Sequence, residues 1–239
     1  VNLPDKFVEW DIGDPYEGGY FYYSGKGDNL RNQMTKAFAL PAGASLSAMV
    51  NYGIEEGYDY ASVIVSTDGG ATWDTVPTNL SSSSVEDNGI DGFSDGWTAL
   101  TADLSAYEGD VLLGFSYITD GGVAEIGFMA DEVAITGAAL DGAEDADAGW
   151  TFEGFKRTTG YESGYYANYY LAENRQFWGY DEVLANCYNW GFLKGKDAMV
   201  NWAERFPYEQ GLLVWYCDDS QPDNNTSVHP GTGFALPVD

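Results

Sequence analysis

The chain has 239 residues, of which 38 are acidic and 10 are Lys or Arg, and its formal net charge is −28. A field of this sign repels phosphate backbones and anionic membranes, so nucleic acid is disfavoured as a partner and divalent cations are favoured. No apolar run approaches the length of a membrane span, and no signal peptide is visible. Because the chain begins at Val1 in what reads as a strand, we expect it to be a piece of a longer precursor.

The first half of the chain reads as a series of short strands. Residues 1–13 predict a strand after a proline. Residues 45–52 alternate in polarity, which places Leu46, Ala48, Val50 and Tyr52 on one core face. With 16% aromatic residues and 30 glycines, the composition is typical of an all-β protein with many turns.

Two Asp-Gly-Gly sequences mark turns between strands. The first, at residues 68–70, predicts a hairpin between residues 60–67 and 72–76. The second, at residues 120–122, joins a strand at 111–119 to another at 124–136. Strands at this spacing predict a sandwich or a jelly roll. Residues 79–96, rich in Ser, Asp and Gly, predict a long mobile loop.

The strand at 124–136 changes face part-way along its length. Ile126 and Phe128 share one parity, whereas Val133 and Ile135 have the other. An unbroken strand cannot change faces, so we expect a β-bulge near Asp131, which would turn this carboxylate inward or toward the rim.

The second half begins with a small, acidic segment at residues 137–149, which reads as a linker. A second β region follows, with strands predicted at 151–156, 165–173, 183–190 and 212–217. Residues 197–205 predict a short helix.

The sequence from Phe206 to Asp239 carries the most specific motifs. An apolar block at 212–216 is followed by Asp219-Ser-Gln, Asp223-Asn-Asn-Thr-Ser and His229-Pro230-Gly231. This stretch resembles the C-terminal region of the immune inhibitor A family of secreted bacterial zinc metallopeptidases. The resemblance extends to Gly154-Phe155, residues 169–173, residues 189–191 and, in the family's MAM-type module, Ser24–Asp28 and Glu55–Tyr60.

The resemblance implies two β domains. A MAM-like jelly-roll β-sandwich would occupy residues 15–137. It would be inserted in, or followed by, a second β-sandwich domain built from residues 1–14 and 138–239.

The family's catalytic HExxH helix is absent from this sequence. Zinc peptidases need two His on one helix face, and the chain has a single histidine. A Ser-His-Asp triad would need His229, and no G-x-S-x-G elbow accompanies it. The resemblance therefore implies a non-catalytic C-terminal accessory region of a secreted, extracellular zinc metalloendopeptidase, inactive alone. Zinc would be held only by the upstream protease domain, its expected partner, and a protein or glycan substrate is a further expected partner.

Calcium is the cation we expect this chain to hold, because hard cations take oxygen ligands. MAM-like and related jelly rolls often carry one structural cation between an early loop and the final strand, and the resemblance implies that four acids match such a site: Asp28, Glu56, Asp59 and Asp131. A second, weaker set comprises Asp218, Asp219, Asp223 and Asn225. The alternative is that the first set is solvated and that the second caps a tight loop.

Cys187 and Cys217 lie in aromatic, strand-like segments, and in a secreted protein such a pair predicts one disulfide. Two free thiols, or a zinc site with His229, remain alternatives. Aromatic clusters at 20–23, 165–170 and 177–180 fill a sandwich core or bind sugars. The second interpretation gives the alternative function, a stand-alone carbohydrate-binding or adhesion module.

Overall fold

The computed structural model describes residues 1–185, 209–225, 227 and 230–238. In this part of the chain it contains sixteen strands and one 3₁₀ helix, Gly179–Ala185. The prediction of an all-β protein is therefore confirmed. No helix among these residues is long and apolar enough to cross a membrane.

The strands are numbered in chain order. They are β1 (Lys6–Asp11), β2 (Phe21–Tyr23), β3 (Arg31–Leu40), β4 (Ser45–Ile54), β5 (Tyr60–Ser66), β6 (Asp74–Val76), β7 (Gly92–Phe93), β8 (Thr98–Asp103), β9 (Gly109–Ile118), β10 (Gly127–Ile135), β11 (Thr151–Glu153), β12 (Lys156–Thr158), β13 (Tyr161–Tyr166), β14 (Asn168–Arg175), β15 (Gly211–Asp218) and β16 (Ala235–Pro237).

The chain divides into two compact units. The larger is Trp10–Glu162, and the smaller combines Val1–Glu9 with Ser163–Asp239. The domain limits that the resemblance implies, 15–137 and 1–14 with 138–239, stay a prediction.

The larger unit is a β-sandwich. One sheet has the order β11-β3-β9-β5-β6, and the other has the order β12-β2-β10-β4-β7 with β8 also paired to β4. Apolar side chains of both sheets form one buried cluster. Within it the rings of Phe115 on β9 and Phe128 on β10 lie 5.5 Å apart, centroid to centroid. The inner faces of the two sheets therefore pack against each other and form the core of the sandwich.

The alternating pattern of β4 is confirmed, since Leu46, Ala48 and Val50 are buried and Tyr52 packs against the same core. The hairpin at residues 68–70 is also present, because β5 and β6 pair on either side of it. The bulge in β10 is confirmed by a register shift between Asp131 and Ala134.

The turn at Asp120 is not a hairpin. β9 pairs with β3 and β5, whereas β10 pairs with β2 and β4, so this turn carries the chain from one sheet to the other. Asp-Gly-Gly favours a tight reversal in either case, and only the pairing of the flanking strands decides between a hairpin and a crossing between sheets.

Two segments read as loop or linker pack against the sandwich. Within 79–96, Ile90 is fully buried and β7 pairs with β4. Within 137–149, Ala143 is fully buried. There the Asp141 carboxylate accepts hydrogen bonds from the Tyr22 hydroxyl (2.9 Å) and the Trp150 indole (2.7 Å). Composition indicated irregular structure in both segments but missed these contacts, because they depend on a few residues among many polar ones.

The smaller unit contains the antiparallel sheet β14-β15-β16. The strands predicted at 165–173 and 212–217 are confirmed, with Tyr170 opposite Tyr216 in the register of β14 and β15. The N-terminal residues join this unit, since Asn2 bridges Tyr169. Of the strand predicted at 183–190, the first three residues lie in the 3₁₀ helix. The remainder, and the helix predicted at 197–205, lie outside the described residues.

Candidate metal centre

Three loops of the larger unit meet at one end of its five-stranded sheet. Ile118, the last residue of β9, pairs with Arg31, the first residue of β3. It also pairs with Tyr60, the first residue of β5. The loops that precede β3 and β5 and the loop that follows β9 must therefore leave the sheet at the same end.

Three carboxylates converge there. Oxygen atoms of Glu55, Asp59 and Asp120 all lie within 4.8 Å of one another. Calcium binds oxygen at about 2.3–2.6 Å, so two ligands on opposite sides of one ion are about 4.6–5.2 Å apart. The three side chains can therefore coordinate a single ion, and we call them the acidic centre.

Asp59 gives the centre its clearest ligand chemistry. Its side chain is fully buried. The backbone amide of Asp120 donates a hydrogen bond to Oδ1 (2.8 Å), and Oδ2 has no partner among the described residues. Burial raises the pKa of Asp59; the Asp120 hydrogen bond opposes this shift, and the charges of Asp120 and Asp28 add to it. A buried carboxylate oxygen without a donor is costly, and a cation removes the cost.

The surrounding field is negative. Burial and the charges of Asp120 and Asp59 raise the pKa of Glu55, and Glu125 and Asp28 add to the effect. In the described part of the chain, no Lys or Arg forms an ion pair with these five acids. The like charges are therefore left for a bound cation to neutralise.

A buried tyrosine lies within electrostatic reach of the centre. The Tyr117 hydroxyl has no hydrogen-bond partner among the described residues. Burial raises the pKa of Tyr117, and the negative charge of Asp59 adds to the shift. The phenol therefore stays neutral and adds no further negative charge near the centre.

Local backbone structure explains how the ligands are placed. The turn at 55–59 is closed by a hydrogen bond from the Asp59 amide to the Glu55 carbonyl (3.2 Å). Gly57, with φ +82°, occupies the left-handed position within it. On the neighbouring loop, the Asn29 amide donates to the Asp120 carbonyl (2.5 Å). Both the turn and the adjacent loop are thus fixed by main-chain contacts.

Two of the four acids predicted as ligands belong to this region. Asp59 is in the centre. Asp28 acts on it through its charge, and its own side chain is exposed. Glu56 is exposed and lies outside the group, whereas its neighbour Glu55 belongs to it. The sequence offered no sign of which glutamate turns inward, and it indicated Asp120 only as a turn residue.

Asp131 is placed elsewhere. It is not one of the three carboxylates of the centre. It lies in the middle of β10, about 13 Å from the first residue of that strand, Gly127, at the usual rise of a strand. It is fully buried, and its oxygens accept hydrogen bonds from the amides of Tyr16 (3.0 Å), Glu17 (3.1 Å) and Glu132 (2.7 Å). Burial raises the pKa of Asp131, and these hydrogen bonds oppose the shift. In this structure the carboxylate anchors the segment that enters β2.

The second predicted set lies in the smaller unit, where its members make contacts with the protein itself. Buried Asp218 pairs with Lys6 Nζ (2.7 Å) and accepts from the Ser220 amide (3.0 Å). Asp223 accepts from the Asn225 amide (2.6 Å), and the side chain of Asn225 accepts from the Ser227 amide (3.3 Å). The amide of Asp219 donates to the Ala167 carbonyl (3.0 Å). These contacts correspond to the capping interpretation.

The predicted disulfide stays a prediction. Cys217 on β15 is buried, and Cys187 and His229 lie outside the described residues. The chain's one histidine and two cysteines do not provide the two helical His ligands and the Glu base of a zinc peptidase. The residues present therefore do not fit a catalytic zinc ion.

The fold and the acidic centre define a two-unit β protein with three carboxylates close together, oxygen groups of the kind that hard cations take as ligands. Two family models match it: "Immune inhibitor A-like, MAM domain" over residues 1–160 and "Immune inhibitor A-like metallopeptidase, VEG domain" over residues 164–239. The chain therefore belongs to the immune inhibitor A-like family, and the resemblance seen in the sequence is confirmed.

Two curated relatives match the whole chain. It is 35% identical over 249 residues to the pre-pro-metalloprotease PrtV of Vibrio cholerae serotype O1. It is 32% identical over 249 residues to immune inhibitor A of Bacillus thuringiensis subsp. alesti. The chain covers 25% of the first relative and 32% of the second. It therefore spans a quarter to a third of the length of these metalloproteases.

Proposed function

We propose that this chain is the non-catalytic, C-terminal accessory region of a secreted zinc metalloendopeptidase. In this role it packs beside its own upstream protease domain and supports the substrate cleft or binds a substrate or cell surface. The observation that carries the proposal is the match of the whole chain to two domains of metallopeptidases, combined with a sequence that has a single histidine. Hydrolytic zinc must then be bound by other parts of the parent protein.

Structural calcium at the acidic centre is part of this proposal. Glu55, Asp59 and Asp120 would hold the ion, because their oxygens are close enough to share it and one buried oxygen of Asp59 lacks a donor. The ion would join loops that leave the same end of one sheet. A scaffold stabilised in this way keeps its loops fixed beside a partner domain.

The test uses the purified chain and the protease domain of the same precursor. The chain should not cleave casein, with or without added zinc, and it should bind the protease domain with a standard-sized interface. Casein cleavage that a chelator abolishes would refute the non-catalytic role. Failure to bind the protease domain would refute the scaffold.

A stand-alone carbohydrate-binding module is the second candidate, and one observation favours it. An open cavity of about 500 Å³ in the smaller unit is lined by Asn174, Gln176, Trp178, Tyr180 and Asp181. Trp178 and Tyr180 are exposed, and aromatic faces beside amide and carboxylate groups suit sugars. A glycan array run with the native chain and the Trp178→Ala variant tests it. Binding that the variant loses, without contact to the protease domain, would favour this candidate.

A further inference from the structure

One carboxylate oxygen connects the acidic centre to a neighbouring loop. Oδ2 of Asp91 accepts a hydrogen bond from the Gly57 amide (2.8 Å) and another from the Ser84 hydroxyl (2.6 Å). Gly57 lies in the turn between Glu55 and Asp59, two of the three candidate ligands. Ser84 lies near the tip of residues 81–91, which we call the serine-rich loop. The position of the turn and that of the loop tip are therefore coupled.

The serine-rich loop has a firm base and an exposed tip. At its base Ile90 is fully buried and exchanges two backbone hydrogen bonds with Ala61 of β5 (3.0 and 2.7 Å). At its tip Ser84 and the acidic residues 86–87 are exposed. Hydrogen bonds within the loop also hold the tip, such as the one from the Ser82 amide to the Gly89 carbonyl (2.8 Å). Just after the tip, the Asn88 side chain donates to the Thr75 carbonyl on β6 (3.1 Å).

We propose that the serine-rich loop is a proteolytic cleavage site and that a cation at the acidic centre protects it. The inference rests on the proposed cation binding at Glu55, Asp59 and Asp120. In the cleavage step an endopeptidase adds water across one peptide bond within residues 82–87, which yields a new carboxylate and a new amino terminus. The endopeptidase belongs to the class of the proposed parent enzyme, and it acts from another molecule.

The physical reason is repulsion between like charges. Without a cation, the carboxylates of Glu55, Asp59 and Asp120 repel one another in a partly buried setting, where charges are poorly screened. The turn at 55–59 relaxes outward, and the hydrogen bond from Gly57 to Asp91 is lost. The loop tip then opens locally while its base stays paired, and proteases cleave such locally opened segments. A bound cation removes the repulsion and keeps the bridge closed.

Cleavage at the tip would leave the sandwich assembled. The chain before the cut stays paired through β5 and β6, and the chain after the cut stays paired through Ile90, β7 and β8. The cut would therefore change a surface loop rather than unfold the unit. Calcium concentration would set how long the intact form persists among active proteases.

The test is limited proteolysis of the folded chain with an endopeptidase that cuts after glutamate. The digestion is run in excess chelator and in about 2 mM calcium, which exceeds the dissociation constants of about 0.1–1 mM found for extracellular calcium sites. Mass spectrometry locates the cuts. Calcium should slow cleavage at Glu86 at least about tenfold, which is the change expected when local opening becomes less favourable by about 1.4 kcal/mol. Cutting at equal rates in both conditions, or only outside residues 82–87, would overturn the inference.

Two variants and a control separate this inference from cation binding itself. Asp91→Ala and Ser84→Ala should be cut rapidly with or without calcium, although calcium still raises their melting temperatures. Glu108→Gln removes one negative charge, as Asp91→Ala does, at an exposed position in the loop before β9. This control should behave as the native chain. If calcium raises the melting temperature of the native chain but leaves its cleavage rate unchanged, the inference fails and the proposed calcium site survives. If calcium changes neither, the inference and the calcium site both fail, and casein cleavage and binding to the protease domain still test the accessory role.

Discussion

The backbone amide of Asp120 donates a 2.8 Å hydrogen bond to Oδ1 of Asp59, while Oδ2 of the same fully buried carboxylate has no partner among the described residues. The two residues are 61 positions apart in sequence. Their contact holds the Asp59 carboxylate against the backbone of Asp120, so these two candidate ligands stay close together.

Calcium is expected to stabilise the larger unit through Asp59. At a concentration one hundred times the dissociation constant, binding adds about 2.7 kcal/mol, which corresponds to a rise in melting temperature of about 5–10 °C for a unit of this size. Asp59→Asn, which keeps the shape and one acceptor, should lose most of the rise. Calorimetry with calcium or chelator measures it, and Asp110→Asn, at an exposed position near the start of β9, is the control. An equal rise in the Asp59 variant would exclude this residue as a ligand.

Glu55→Gln should have opposite effects in the two conditions. In chelator it removes one of several repelling carboxylates. Burial and the charges of Asp120 and Asp59 raise the pKa of Glu55, so its loss should raise the melting temperature. In calcium it removes a ligand, so the melting temperature should fall below that of the native chain. The neighbouring exposed Glu56→Gln should change neither value by more than about 1 °C. A fall in both conditions for Glu55→Gln would indicate a structural role instead.

Gly114→Ala should destabilise the larger unit strongly. A Cβ atom on Gly114 would lie 1.8 Å from the Met34 carbonyl oxygen on the adjacent strand, and 2.9 Å from Thr35 Cα. Backbone atoms of a central strand cannot move away without loss of sheet pairing, so we expect a cost of about 3 kcal/mol or more, seen as a large fall in the urea midpoint. Gly19→Ala, where the nearest atom is 3.9 Å away, is the matched control and should be close to neutral.

The β5–β6 hairpin should lose a stabilising contribution only in strong acid. The backbone amide and hydroxyl of Thr72 and the hydroxyl of Ser66 donate to Asp68 and lower its pKa to about 2. Because the pKa of Asp68 is lower in the folded than in the unfolded chain, its ionised carboxylate stabilises the folded state. This stabilisation is complete above the unfolded pKa of about 3.9 and is lost as the pH falls through about 2. Carboxyl NMR titration should give a midpoint near the lower value, and Thr72→Val should raise it. A native midpoint near 4 would contradict the hydrogen-bonded geometry.

The sequence by itself determined the class of the fold. Alternation in β4, the Asp-Gly-Gly turn after β5 and the change of face in β10 are local patterns, because strand periodicity and turn chemistry depend on neighbouring residues. The motifs near the C-terminus indicated the family. The single histidine showed that this chain cannot provide the two helical His ligands of a zinc peptidase.

Only the tertiary structure decided which acids meet. Glu55, Asp59 and Asp120 come together because Ile118 pairs with both Arg31 and Tyr60, a register that no local pattern contains. Strand pairing also shows that Asp120 begins the connection from β9 in one sheet to β10 in the other, which is not a hairpin. Burial then distinguishes Glu55 from its neighbour Glu56 and separates Asp131, whose oxygens are satisfied by backbone amides, from the centre. Ligand sets depend on contacts between residues far apart in sequence, and only the paired sheets define those contacts.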